Sequence, residues 1–125
     1  MLSKSKIVAF VATKKPESAK DFYEQTLGLR LIADDDFAIV FDANGVMLRV
    51  QKVQEHTPAN HTVLGWEVSD IQAKVKELMR RDVRCERYAW MEQDELGIWR
   101  APSGARIAWF KDPDGNVLSL TQFKE

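Results

Sequence analysis

Phe37 to Gln51 reads FAIVFDANGVMLRVQ, and Ile107 to Thr121 reads IAWFKDPDGNVLSLT. Laid over one another without a gap, the two stretches place Ala38, Asp42, Gly45 and Leu48 on Ala108, Asp112, Gly115 and Leu118. Asp and Gly recur in any hairpin turn, because both tolerate the backbone angles a turn requires. Identities that continue in register outside the turn, with matching segments upstream, point instead to an internal repeat.

Upstream of the first stretch, Lys6 to Ala12 (KIVAFVA) is a β-branched and aromatic run of strand length. The period then changes: Ala19, Phe22, Tyr23, Thr26 and Leu27 fall three and four residues apart, which predicts a helix from near Pro16 that closes at Gly28. Leu29 to Ala33, Phe37 to Asp42 and Val46 to Val53 read as strands, the last two joined by Ala43-Asn44-Gly45. After a polar stretch from Gln54 to Asn60 the order restarts with Thr62 to Val68. Ser69 and Gln72 have the spacing of a capping box, and Ile71, Val75, Leu78 and Met79 form the next helical stripe. Val83 to Tyr88, Arg106 to Lys111 and Val117 to Phe123 predict three more strands.

The expected fold is therefore α+β: one domain over residues 1–125, built from two strand-helix-three-strand modules at about 5–53 and 62–123 with a linker at about 54–61. The second module carries an insertion, about Ala89 to Gly104 (AWMEQDELGIWRAPSG), holding two of the four tryptophans. An aromatic, acidic loop suits the lip of a binding site. Trp90 and Trp99 could equally cap the edge of the core, and the sequence leaves both open.

Composition bounds the function. With 18 basic and 19 acidic residues in even scatter, and a net charge of -1, nothing would steer the chain to nucleic acid or an anionic membrane. The longest apolar runs, such as Ile7 to Ala12, are too short to span a bilayer or to serve as a signal peptide. The lone Cys85 excludes an internal disulfide. The expectation is a cytoplasmic protein whose partner is a small molecule or another protein.

Phe22-Tyr23 followed by Leu27-Gly28 (FYEQTLGL), and Asp112 to Asn116 (DPDGN), on a duplicated frame, resemble the vicinal oxygen chelate superfamily, which includes glyoxalase I, bleomycin-resistance proteins and extradiol dioxygenases. The resemblance spans essentially the whole chain. It implies an open curled sheet around a pocket between the modules, commonly completed in a homodimer, and in catalytic members a divalent metal held by the first and last strands of each module. The positions it assigns to those ligands are Val8, Arg49, Val63 and Ser119. Valine has no lone pair, arginine is a fixed cation, and a neutral serine hydroxyl is a poor ligand for a divalent ion. No metal and no cofactor are expected. His56 and His61, both in the polar linker, are read as solvated rather than ligating.

Strand alternation sends Val8, Phe10 and Ala12, with Met47, Arg49 and Gln51, to the pocket side of the first module, and Val63, Gly65 and Glu67, with Val117, Ser119 and Thr121, to that of the second. The predicted lining is apolar at Val8, Phe10, Met47 and Val63, with hydroxyls at Ser119 and Thr121 and a stacking wall from Trp99 and Trp109, although the face of Trp109 cannot be read from the sequence. Arg49 either clamps an anionic group of the ligand or pairs with Glu67. Glu67 is the candidate acid or base. The leading expectation is a metal-free binder of a small organic molecule. The alternatives are a lyase or isomerase acting through Glu67, and a dimeric scaffold whose pocket is filled by its own side chains.

Overall fold

A computed structural model describes residues 1–124, which form two compact units dividing between Thr57 and Pro58. The first holds β1 (Val8–Thr13), helix α1 (Pro16–Asp21) running into a π-helical turn (Phe22–Thr26), β2 (Arg30–Asp34), β3 (Ala38–Ala43) and β4 (Val46–Lys52). The second holds β5 (Thr62–Glu67), α2 (Ile71–Arg80), β6 (Trp99–Arg100), β7 (Arg106–Lys111) and β8 (Val117–Gln122). The sheets run β1-β4-β3-β2 and β5-β8-β7-β6, each with its first pair parallel and the others antiparallel. Both are open, mixed sheets of one repeated order, the α+β duplication that the repeated letters predict. No helix among the described residues is long and apolar enough to cross a membrane.

In the first unit, Pro16 opens α1, where its missing N–H is no loss. The helix widens at Phe22: the Leu27 amide donates to the Phe22 carbonyl at 2.9 Å, a span of one residue more than an α-turn, before Gly28 ends it at a φ of +74°. The wide turn lets two consecutive aromatic residues bury. Phe22 and Tyr23 meet edge to face at 5.4 Å, and Tyr23 lies 6.0 Å from Phe41 on β3.

In the second unit, the expected Ser69–Gln72 box gives way to Asp70, whose carboxylate accepts from the Ala73 amide at 3.1 Å. The neighbouring Ile71 amide is satisfied by Gln122 Oε1 on β8 at 2.9 Å, so an aspartate one residue later, helped by a tertiary contact, caps the helix. Ile71, Val75 and Leu78 are buried, but Met79, expected in the same stripe, is exposed.

The strand expected at Val83 to Tyr88 is not formed, and β6, inside the predicted insertion, takes the edge of the sheet. Val83 to Tyr88 runs past β7 with one backbone bond, from the Glu86 amide to the Trp109 carbonyl at 2.7 Å. The side chain of Gln93 holds the segment as well: its oxygen accepts from the Tyr88 amide at 2.8 Å and its nitrogen donates to the carbonyls of Glu86 and Gly97 at 2.9 and 2.8 Å. A side-chain amide thus satisfies two backbone groups of a segment that joins no ladder, which no periodicity could announce.

The two final hairpins also differ more than their letters do. β3 and β4 pair up to Ala43 and Val46, leaving Asn44-Gly45 as a two-residue turn, whereas β7 and β8 end at Lys111 opposite Val117. The longer loop is organised by Asp112, which is buried: Oδ1 accepts from the amides of Asp114 and Asn116 at 2.9 and 3.0 Å, and Oδ2 from Asn116 Nδ2 at 2.8 Å.

Candidate functional site

Cross-strand partners share a face of a sheet, so the register sorts each predicted site residue. In the first unit, Leu48 and Val50 on β4 stand beside Phe41 and Ile39, and all four are fully or nearly fully buried. Phe41 contacts Tyr23, so this face is the one the helix covers. The opposite face carries Val8 beside Met47 and Phe10 beside Arg49, as alternation predicts. Val8, Met47 and Phe10 are 43%, 43% and 56% exposed. Arg49 is half-buried among them. Its charge helps hold the Asp35 carboxyl below the ordinary range, behind the larger effect of hydrogen bonds from the Phe37 and Ala38 amides.

In the second unit, Leu118 and Leu120 share their face with Phe110, which stacks on Trp66 at 6.5 Å, and with the residues that meet α2. The opposite face carries Gly65, Ser119 and Trp109 in one row and Glu67, Thr121, Ile107 and Trp99 in the next. Trp109 is thereby placed beside Ser119. Val63 departs from expectation: it sits at a register irregularity between Thr62 and Leu64, and Thr62 takes its place on this face, opposite Val117. A bulge shifts alternation by one residue and leaves little trace in a single sequence.

The register thus collects an aromatic group on the open face. Trp99 and Trp109 lie 6.1 Å apart with a 36° tilt, and Tyr88 meets Trp109 edge-on at 5.8 Å. Trp109 Nε1 donates to Thr62 Oγ1 at 3.0 Å, which fixes the orientation of the indole. Trp90, 79% exposed, extends the group through Tyr88 at 5.8 Å. Of the two readings of the inserted tryptophans, Trp99 therefore belongs to the sheet face and Trp90 to the surface. Thr62 and Tyr88 were absent from the predicted lining, one hidden by the bulge and the other by lying outside any strand. Glu67 is exposed at the end of β5.

The inserted segment that carries Trp99 is rigidly built. Asp94 Oδ1 accepts from the Leu96 and Ile98 amides, each at 2.9 Å, and Gly97 turns the chain at a φ of +91°. A Cβ at Gly97 would lie 2.9 Å from that of Cys85, so only glycine lets the turn close over the thiol. Burial pushes the Cys85 thiol up from 9.0 to about 11, the nearby Arg87 charge only partly opposing it. A two-unit rise leaves about 100-fold less thiolate at pH 8. Iodoacetamide is therefore expected to alkylate native Cys85 at least that much more slowly than the urea-unfolded chain, with a rate still climbing toward pH 11; equal rates at pH 8 would contradict this placement.

Among the described residues, no group of three or more His, Cys, Asp or Glu side chains is placed to hold a metal ion. The positions that the resemblance assigns to ligands do not fit one either, since Val8 and Val63 offer no donor, Arg49 is cationic, and Ser119 contributes a single neutral hydroxyl. His56 and His61 lie in the irregular stretch between β4 and β5.

The sequence model of the glyoxalase/bleomycin resistance protein/dioxygenase superfamily matches residues 6–120. Among solved structures, the chain is similar to a lactoylglutathione lyase from Agrobacterium tumefaciens, with a TM-score of 0.74 and 16% identity over 96% of this chain and 98% of that one. It is similar also to a glyoxalase/bleomycin resistance protein/dioxygenase from Alicyclobacillus acidocaldarius, with a TM-score of 0.71 and 16% identity over 98% and 93% of the two chains. TioX from Micromonospora sp. ML1 superposes with a TM-score of 0.70 and 17% identity over 96% and 99%. At such identities the structural matches speak to the fold alone.

Proposed function

Because this chain belongs to the glyoxalase/bleomycin resistance protein/dioxygenase superfamily, we propose that it binds a small organic molecule without the divalent metal that the family's chelating members hold, for sequestration or sensing. The observation that carries this reading is the placement of Trp109 and Trp99 on one sheet face with Ser119 and Thr121. A wall of π surface beside a few hydroxyls suits a small amphipathic ligand. The absence of a usable donor set at Val8, Arg49, Val63 and Ser119 supports the metal-free part. Elemental analysis of protein purified without chelator, set beside an aromatic-compound screen followed through the tryptophan indole N–H resonances, tests both parts. Stoichiometric divalent metal, or no indole shift from any compound, overturns the respective part.

The lyase or isomerase reading places the proton transfer on Glu67, which shares the open face with Thr121. Its exposure favours the binder, because a carboxylate open to water is not held in the enclosed, water-excluding setting in which an enzyme carries out proton transfer. Glu67→Gln separates the two: a binder keeps its affinity, and an enzyme loses turnover. We read the protein as a cytoplasmic homodimer; the exposed group Val8, Phe10 and Met47 on one sheet face supports the pairing, since monomers rarely leave such groups to water. A monomer mass by sedimentation at micromolar concentration would overturn it.

A further inference from the structure

We propose that the open face of the second sheet seats a neutral planar aromatic compound carrying one hydroxyl or carbonyl oxygen on its rim, the ring lying across Trp99 and Trp109 and the oxygen hydrogen-bonded to Ser119. The inference rests on the binding reading above and names its ligand class.

Trp109, Ser119 and Gly65 are direct neighbours in one row across β7, β8 and β5. A Cβ added at Gly65 would come within 2.5 Å of Ser119 Oγ, so the hydroxyl leans across the glycine into space that any other residue would fill. No hydrogen bond from another described residue reaches that hydroxyl. Since every sealed side-chain nitrogen and oxygen among the described residues has a partner, Ser119 Oγ is open to solvent. Ser119 as a whole is only 8% exposed, so its hydroxyl is a recessed donor and acceptor rather than a surface one.

The aromatic side of the seat is defined as firmly. Trp109 has its polar tip engaged by Thr62, which holds the indole in one orientation. Trp99, at 6.1 Å, is too near for a third ring to slide between, because that needs about twice the 3.5–4 Å contact distance. A flat ligand therefore lies across both rings, with Tyr88 edge-on at the side. Charge argues against an anionic ligand. In the row on one side of Ser119, Lys111 is paired with Glu86 at 3.4 Å. In the row on the other side stands the carboxylate of Glu67, which disfavours an anion.

Naphthalene and 2-naphthol, titrated by calorimetry and by the indole N–H resonances, test this. Both are expected to shift the indole signals, with 2-naphthol binding about tenfold more tightly, the worth of one recessed hydrogen bond. Ser119→Ala should remove that advantage and leave naphthalene unchanged. Gly65→Ala, by displacing the hydroxyl, should do the same. Equal affinities in the unaltered protein, or an advantage that survives Ser119→Ala, overturn the ligand class while leaving the binding reading in place. If neither compound shifts the indole signals this inference falls, and the binding reading falls with it only if the wider aromatic screen is blank as well.

Discussion

Phe110→Ala is expected to destabilise the second unit by about 3–5 kcal/mol, the range for emptying a fully buried aromatic site, whereas Trp109→Ala, one residue earlier, is expected to cost only about 1 kcal/mol. Phe110 is 0% exposed and stacks on Trp66, on the face that α2 covers. Trp109 is half-buried on the opposite face. The cost at Phe110 combines lost transfer energy with a cavity that neighbouring side chains close only in part. The two variants should also separate in binding. Trp109→Ala should lose most of the indole shift induced by an aromatic compound, because it removes a central stacking surface, while any Phe110→Ala protein that remains folded should retain it. Urea midpoints and the indole titration, on the same samples, give both readings. A Trp109→Ala protein that melts as early as Phe110→Ala would show that the open face is core rather than site.

The second large effect is expected at Asp112. Asp112→Ala should cost about 2–4 kcal/mol, since it removes the acceptor for two amides and for Asn116 Nδ2, and an unpaired buried donor costs about 1–3 kcal/mol. Asn116 is only 3% exposed, so water cannot readily replace the carboxylate. Asp42, its partner in the repeat, accepts from the Gly45 amide at 2.8 Å in an exposed turn and pairs with Arg30 at 3.5 Å. Asp42→Ala should therefore cost under about 1 kcal/mol. Asp112→Asn should fall between Asp112→Ala and the unaltered protein, because its amide presents a nitrogen where Asn116 Nδ2 requires an oxygen. Thermal melts of the three variants decide the matter, and similar losses at Asp42 and Asp112 would refute the assignment of the second turn as a buried network.

That contrast also shows where the repeat misleads. Superposed by sequence, Trp109 falls on Ile39, which points to the helix-covered face beside Val50. In the second unit the loop after Lys111 is longer than the Asn44-Gly45 turn, and the strand is displaced by one residue relative to the superposition. A slip of one residue turns every side chain to the other face. Trp109 consequently takes the place that Val40 holds beside Arg49 in the first unit. The repeated Asp and Gly were read correctly as turn residues, but they did not report the length of the turn.

Local patterning decided the order of strands and helices and the faces of β1 and β4, because the period of apolar residues and the chemistry of turns are properties of neighbouring residues, while the family was carried by the resemblance of FYEQTLGL and DPDGN. Which side chains stand at the positions that the resemblance assigns to metal ligands, Val8, Arg49, Val63 and Ser119, is likewise a matter of sequence alone. The tertiary structure alone decided the rest. The edge of the second sheet passed from Val83–Tyr88 to Trp99–Arg100 because Gln93, distant from neither in sequence yet outside any period, satisfies the intervening backbone. Thr62 replaced Val63 through a bulge, and Trp109 joined Trp99 and Ser119 through a register. Bulges and registers are set by how strands pair, and pairing between strands is not written in the periodicity of either one.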